Sequence, residues 1–328
     1  MAKRALITGI LGMDSSCLAE YLIGLGYDVY GLYKRVSTGI NFDNIELIRN
    51  HQRLHLIEGD ITDAGMMTHL IQDLQPDELY CLAAQSHVGY SFDNPMETWR
   101  TNTESVLIQL EAIRRFSKHT HFYFSGSSEV FGTSACPKEG FDETSPMHPR
   151  SVYGITKHAG IDLARHYREA YGIFSCSGIL FNHSEPLRRS KDFFTRKCTL
   201  SVASIKLGLL DKMKAGNLEA FRDEGSSRDY VRAQHLILQQ KTPEDYVVAT
   251  GEGATMREML EYVCDLAGLK LEDVYEEDSR FMRPSDVPYL LGNASKIRKL
   301  DWAPTTSWKQ LLKAMYEADL AALTATVK

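Results

Sequence analysis

The feature that most constrains this chain is a turn carrying two glycines, Thr8-Gly9-Ile10-Leu11-Gly12-Met13-Asp14-Ser15, near its beginning. Arg4–Thr8 reads as a strand and Asp14–Leu25 as a helix, so the G-x-x-G-x-x-S spacing falls on a strand-to-helix junction. The first glycine permits a tight turn. The second lets backbone approach a pyrophosphate at the helix N-terminus, where free N–H groups and the helix dipole favour an anion. Ser15 is small enough to keep helix and strand close. The competing reading is an ordinary strand-to-helix turn, and the position directly after the first strand favours the phosphate site.

The same alternation continues. Asp28–Tyr33, Leu54–Glu58, Glu78–Ala83, His121–Ser125 and Ile173–Phe181 read as strands, and Ala64–Leu74, Met96–Phe116 and Ser151–Tyr171 as the helices between them. That rhythm predicts βαβ units and a parallel sheet covered on both faces. The expected class is therefore α/β, a doubly wound parallel sheet of the Rossmann type. Asp192–Leu207, Asp229–Gln239, Thr255–Ala267 and Ser307–Leu323 look helical within a less regular second half. We expect residues 1–181 to form the dinucleotide-binding domain with the catalytic groups. Residues 182–328 should form mainly a smaller α/β cap for substrate, with some segments returning to the first domain.

Composition removes other classes. A formal net charge of −6 argues against nucleic acid or an anionic membrane as partner. No apolar run approaches the roughly 18 residues that span a bilayer, and the first strand begins too early for a signal peptide. The expected location is the cytoplasm. Cys17, Cys81, Cys136, Cys176, Cys198 and Cys264 lack C-x-x-C spacing and fit buried thiols in a reducing compartment. His119 and His121 form an H-x-H pair with no acid or cysteine nearby, so no metal is expected.

At the end of the second strand an acid would bind the ribose hydroxyls of NAD. Here Lys34 and Arg35 follow Tyr33, with Ser37 next, and cations there suit the 2′-phosphate of NADP; the alternative is a solvated basic turn. Asp60 and Ile61 after the third strand are placed at the adenine. Leu82, Ala83, Ala84 and Ser86 after the fourth line the middle of the cofactor.

Tyr153 and Lys157 stand four apart on a predicted helix and so share a face. A lysine cation beside a tyrosine favours the phenolate, letting the tyrosine take a proton from a sugar hydroxyl while hydride leaves for nicotinamide. Ser127, in Ser125-Gly126-Ser127-Ser128-Glu129 at the end of the fifth strand, can hold the same substrate oxygen. Glu129 adds a carboxyl that a plain dehydrogenase does not need. A dehydratase uses one to remove a proton beside a ketone and to protonate a leaving hydroxyl.

Over nearly its whole length the chain resembles the GDP-mannose 4,6-dehydratase family. The resemblance rests on ALITGILGMDSS, LAAQSHVGYSFDNP, SGSSEVFG, HPRSVYGITK, REAYGIFSCSGILFNHSEPLRR, FFTRK, GNLEAFRDEGSSRDYV, DYVVATGE and MRPSDVPYLLGNASKIRKLDWAP. It implies that Ser127, Glu129, Tyr153 and Lys157 are the active-site set and that Gly9, Ile10, Leu11, Gly12, Met13 and Asp14 form the pyrophosphate loop. It places His183 and Arg188 on the cofactor. Ser86, Asn182, Thr195, Lys197 and Arg222 then hold the GDP-sugar, and Arg283 and Asp286 close its nucleotide pocket. The implied cofactor is NADP, the implied substrate GDP-mannose, and the implied assembly a homodimer or homotetramer. The chain departs from the family pattern at Ser15 and Cys17, where glycine and tyrosine are usual. Glu224 stands for a tryptophan, with Ser226-Ser227 beside it; Lys34 and Asp43-Asn44 alter an arginine-rich loop. Competing readings are action on a related GDP-sugar such as a heptose, a reductase or epimerase, and a non-catalytic NADP-binding regulator.

Overall fold

A computed structural model describes residues 2–37, 39–282 and 284–327. The first half runs β1 (Arg4–Thr8), α1 (Met13–Gly24), β2 (Asp28–Tyr33), β3 (Leu54–Glu58), α2 (Ala64–Leu74) and β4 (Glu78–Cys81). Short helices α3 (Tyr90–Asp93) and α4 (Pro95–Trp99) lead into α5 (Ser105–Phe116), followed by β5 (His121–Ser125), α6 (Val152–Tyr171) and β6 (Ser175–Leu180). Beyond these come β7 (Asn182–Ser184), α7 (Phe194–Lys206), β8 (Met213–Ala215), β9 (Phe221–Ser226), α8 (Ser227–Leu238), β10 (Tyr246–Val248) and β11 (Gly253–Thr255). The chain closes with α9 (Met256–Ala267), α10 (Leu271–Val274), β12 (Tyr275–Glu277), β13 (Tyr289–Leu290), α11 (Ser295–Arg298) and α12 (Trp308–Val327).

The main sheet has seven strands in the order β10-β6-β5-β4-β1-β2-β3, every pair parallel. Its central strands are buried on both faces, so they read as unbroken runs rather than alternating ones. The strand order reverses between β1 and β4. A crevice opens there beyond the carboxyl ends, where ligands of such sheets bind.

The expected single helix over 96–116 is interrupted by a π-helical turn, Arg100–Glu104. The turn has a local cause. Asn102 accepts from the Gln85 N–H at 2.8 Å and donates to the Gln85 carbonyl at 2.9 Å and to Thr156 Oγ1 at 3.1 Å. One buried amide thus ties the loop after β4 to α6, and both border the crevice.

In the second half, α8 packs against α1, β5 and β6 rather than joining a cap. Its apolar face (Tyr230, Val231, Ala233, Ile237, Leu238) belongs to the core of the main sheet. A second core gathers α7, α9 and α12 around Val202, Met259, Leu260, Leu312 and Met315. Between the two bodies, β9 pairs with β7, β11 and β13. Among the described residues, no helix is long and apolar enough to cross a membrane.

Candidate active site

A cavity of about 1040 Å³ opens at the crevice and runs under the second body. That is at the upper end of small-molecule pockets, room for two extended ligands side by side.

At its floor, Gly9 takes φ +70°, and a Cβ there would lie 2.9 Å from Ala83 Cα. Only glycine lets this turn close against the loop after β4. Helix α1 begins after Gly12 without a capping side chain, so its first-turn N–H groups face the cavity uncapped. That is a fit for a pyrophosphate. Ser15 donates to the Thr8 carbonyl at 3.3 Å and holds helix to strand. Gly9, Leu11, Gly12, Met13 and Asp14 line the cavity, as do Leu82, Ala83, Ala84 and Ser86. Ile10 does not. Its N–H donates to the Leu32 carbonyl at 3.0 Å and its side chain is in the core.

Lys34, Arg35 and Ser37 sit beyond β2, exposed and outside the cavity wall. Lys34 pairs with Asp60 at 2.7 Å and Arg35 with Glu58 at 3.9 Å. Ile61 is buried in the core rather than on the wall.

Ser127, Glu129, Tyr153 and Lys157 all meet on the cavity wall. Two elements deliver them. Strand β5 runs into a short 3-10 turn, Ser128–Val130, capped by the Ser127 hydroxyl, which accepts from the Glu129 N–H at 3.3 Å. Helix α6 is capped by Ser151, whose hydroxyl accepts from Gly154 N at 3.0 Å, and this sets its first turn with Tyr153. Lys157 Nζ donates to the Ser125 carbonyl at 2.7 Å and lies 5.8 Å from the Tyr153 ring centre.

The electrostatics differ from the simple lysine–phenolate picture. Burial pushes the Tyr153 phenol up to about 12, against a hydrogen bond to Ser127; the Glu129 charge adds to the rise and Arg189 opposes it. Burial likewise pulls Lys157 down to about 8. At Tyr153 desolvation outweighs the opposing Ser127 hydrogen bond and Arg189 charge.

Next to this set, His183 Nε2 meets Asp14 Oδ2 at 2.6 Å, and Ser227 donates to Asp14 Oδ1 at 2.7 Å. Burial opposes charge on both, yet their mutual attraction prevails: His183 is raised and Asp14 lowered from their ordinary values. A raised histidine contributes stability below its unfolded pKa and loses it as pH climbs through the folded one. A lowered aspartate contributes above its unfolded pKa and loses it in acid. The pair therefore stabilises most between about pH 4 and 6.5. We predict that His183→Gln lowers the melting midpoint most in that window, by the equivalent of about 3–5 kcal/mol, with the gap narrowing as pH rises above it. Melting curves across pH check this, and a gap that widens with pH refutes it.

Arg188 and Arg189 go opposite ways after Leu187, which takes φ +62°. Arg188 leaves the cavity for α1, where it pairs with Glu20 and donates to Ser16 Oγ at 3.1 Å. Arg189 enters the cavity instead, its guanidinium 3.6 Å over the Phe193 ring. The Arg-Arg dipeptide marks the place in the sequence but not the turn that sorts the two. Asn182, Thr195, Lys197, Arg222 and Asp286 line the far part of the cavity, with Arg222 and Asp286 at 3.5 Å. Arg283 lies outside the described residues. Phe193 and Glu224 also line the cavity without having been singled out as ligand residues.

A family model described as GDP-mannose 4,6 dehydratase matches residues 6–315. The chain belongs to this family. Among its relatives, GDP-mannose 4,6 dehydratase 2 of Arabidopsis thaliana is 44% identical, over 97% of this chain and 87% of the relative. GDP-mannose 4,6-dehydratase of Yersinia enterocolitica is 39% identical, over 97% of this chain and 94% of the relative. Solved structures share the fold: dTDP-glucose 4,6-dehydratase of Bacillus anthracis in complex with NAD superposes with TM-score 0.83 at 22% identity, covering 97% of this chain and 96% of that one. RMD from Pseudomonas aeruginosa complexed with NADPH gives 0.79 at 23%, covering 98% and 100%.

Proposed function

We propose that this protein is an NADP-dependent GDP-mannose 4,6-dehydratase, a hydro-lyase that yields GDP-4-keto-6-deoxy-mannose. Membership of the family carries the substrate class. The convergence of Ser127, Glu129, Tyr153 and Lys157 on one cavity beside an uncapped helix N-terminus supports the chemistry.

The α1 N-terminus would hold the cofactor's pyrophosphate, and Lys34, Arg35 and Ser37 would meet the 2′-phosphate at the rim of β2. Bound NADP supplies a hydride acceptor for C4 and later a donor for C6. Ser127 and Tyr153 hold the C4 hydroxyl, and Tyr153, as the phenolate that the Lys157 ammonium and the cationic nicotinamide of bound NADP would favour, takes its proton. Lys157 stays beside the phenol as the charge that eases this transfer. The C4 ketone acidifies C5–H. Glu129 removes that proton and passes it to the C6 hydroxyl, which leaves as water; hydride addition at C6 is matched by a proton delivered to C5, which balances the one Tyr153 took from the C4 hydroxyl and releases.

Incubation with NADP⁺ and GDP-mannose followed by proton NMR tests the reading. A C6 methyl doublet is expected. Its absence with GDP-mannose and with other GDP-sugars overturns the assignment.

An oligomer belongs to the same proposal. Trp99, Leu107 and Ile155, on the adjoining helices α4, α5 and α6, are 38%, 41% and 46% exposed. Helices α4 and α5 both pack on α6, and large apolar side chains left exposed across them are what a protein–protein contact would cover. Ile155→Glu is expected to shift the protein to a smaller species in light scattering. An unchanged mass in that variant and in Leu107→Glu refutes this face as the contact.

A further inference from the structure

One cavity group has no place in the reaction above. Glu224 lies in the middle of β9, opposite Asn182 of β7, and is only 3% exposed. Its carboxylate faces the cavity. The preceding Asp223 turns the other way and anchors Thr250, Gly251 and Gly292.

Glu224 Oε1 accepts from the Ser184 hydroxyl at 2.6 Å, and Ser184 Oγ lies 2.8 Å from Thr195 Oγ1. A hydroxyl has one proton. Ser184 spends its proton on the carboxylate, so Thr195 must donate to Ser184. The chain Thr195→Ser184→Glu224 thus ends on the carboxylate, with no donor left for a ligand. An ionised carboxyl accepts about four hydrogen bonds, and no ion pair involves Glu224 among the described residues. Burial raises its proton affinity, opposed by the Ser184 hydrogen bond and by the charges of Arg189 and His183, so a donor from a ligand would favour its ionised form. His183 is engaged with Asp14, and the buried Nε of Arg189 has no hydrogen-bond partner. The wall at Glu224 is therefore an acceptor awaiting a donor.

The identity of that donor follows from charge and place. Phosphates are acceptors and anions, so a carboxylate repels them. Glu224 stands opposite Asn182 in the ladder, one step from the His183–Gly225 pair, and His183 meets Asp14 on the same cavity wall as Tyr153, which sets Glu224 on the reacting side of the cavity, where the hexose must lie. The C4 and C6 hydroxyls are consumed by the chemistry, leaving those on C2 and C3 for recognition.

We infer that Glu224 is a specificity-determining residue whose carboxylate accepts a hydrogen bond from the C2 or C3 hydroxyl of the hexose of a GDP-sugar. The inference rests on the proposed substrate class and adds which part of the sugar is read.

Calorimetric titration of the NADP⁺-loaded protein with GDP-mannose and its 2-deoxy and 3-deoxy analogues tests it. With the wild type, one deletion should weaken Kd about ten- to a hundredfold and the other little, as for a hydrogen bond to a charged group. Glu224→Leu should weaken GDP-mannose by a similar factor and no longer distinguish the analogues. Glu224→Gln, which keeps an acceptor oxygen, should recover most of the binding. In turnover, KM should move far more than kcat.

The inference is overturned if neither deletion weakens binding to the wild type, a result that needs no variant. It is also overturned if Glu224→Leu still distinguishes the analogues, or if the variants weaken NADP⁺ binding without sugar. The NMR methyl signal separates the two proposals. Coupling between Glu224 and a hydroxyl without a methyl product supports this inference and sinks the dehydratase. A methyl product without coupling does the reverse.

Discussion

Glu129→Gln is expected to lower dehydration about 10²–10⁴-fold while leaving cofactor binding unchanged. Glutamine keeps the size and the accepting oxygen but cannot take the C5 proton or give one to the C6 hydroxyl. Glu129 borders the cavity at the end of β5, and its N–H is held by Ser127 Oγ at 3.3 Å, a bond the substitution leaves intact. The groups proposed for hydride removal at C4 are Ser127, Tyr153 and Lys157, all untouched. A single turnover of the variant should therefore accumulate reduced nicotinamide without a methyl signal. Tyr153→Phe, in contrast, should produce neither. Wild-type rates of methyl formation in Glu129→Gln refute its role as the acid and base of elimination.

The largest stability effect is expected from Gly132→Ala. Gly132 takes φ +54° and bridges to His148, where an added Cβ would stand 1.8 Å from the His148 carbonyl oxygen and 2.7 Å from its carbon. The obstacle is backbone and cannot rotate away. The left-handed conformation costs alanine about 1–2 kcal/mol, and overpacking adds about 1–3 kcal/mol. We expect the melting midpoint to fall by roughly 3–7 °C. Activity should fall with it, because the displaced His148 leads through Pro149 to the Ser151 cap that sets Tyr153. Thermal melts and the NMR assay check both; a midpoint within about a degree of wild type refutes a steric clash at Gly132.

Much of the fold was legible because its rules are local. A strand buried on both faces is apolar along most of its length, so β1, β4 and β5 stand out. A dinucleotide turn must place glycines where backbone approaches backbone, and Gly9 against Ala83 shows why. Tyr153 and Lys157 were legible because helical spacing alone puts them on one face. The strands of the second half were not. Most of β7 to β13 span only two or three residues, too short for any periodicity, and exist because distant segments share a register. Helix α8 was legible as a helix, but its neighbour was not, since an apolar stripe does not name the surface that will cover it.

Residue type at fixed local spacing was enough for the parallel sheet, for the glycine turn after β1 and for the four groups proposed for the chemistry. Tertiary structure alone decided which of Arg188 and Arg189 faces the cavity, because that depends on one backbone turn at Leu187. It also decided the proton affinities of Tyr153 and Lys157, where burial outweighs the neighbouring charge. And it decided that Glu224, on the cavity wall, ends a chain of hydroxyls that runs through the buried Ser184. Desolvation and long-range pairing are properties of the packed interior, and no local spacing encodes them.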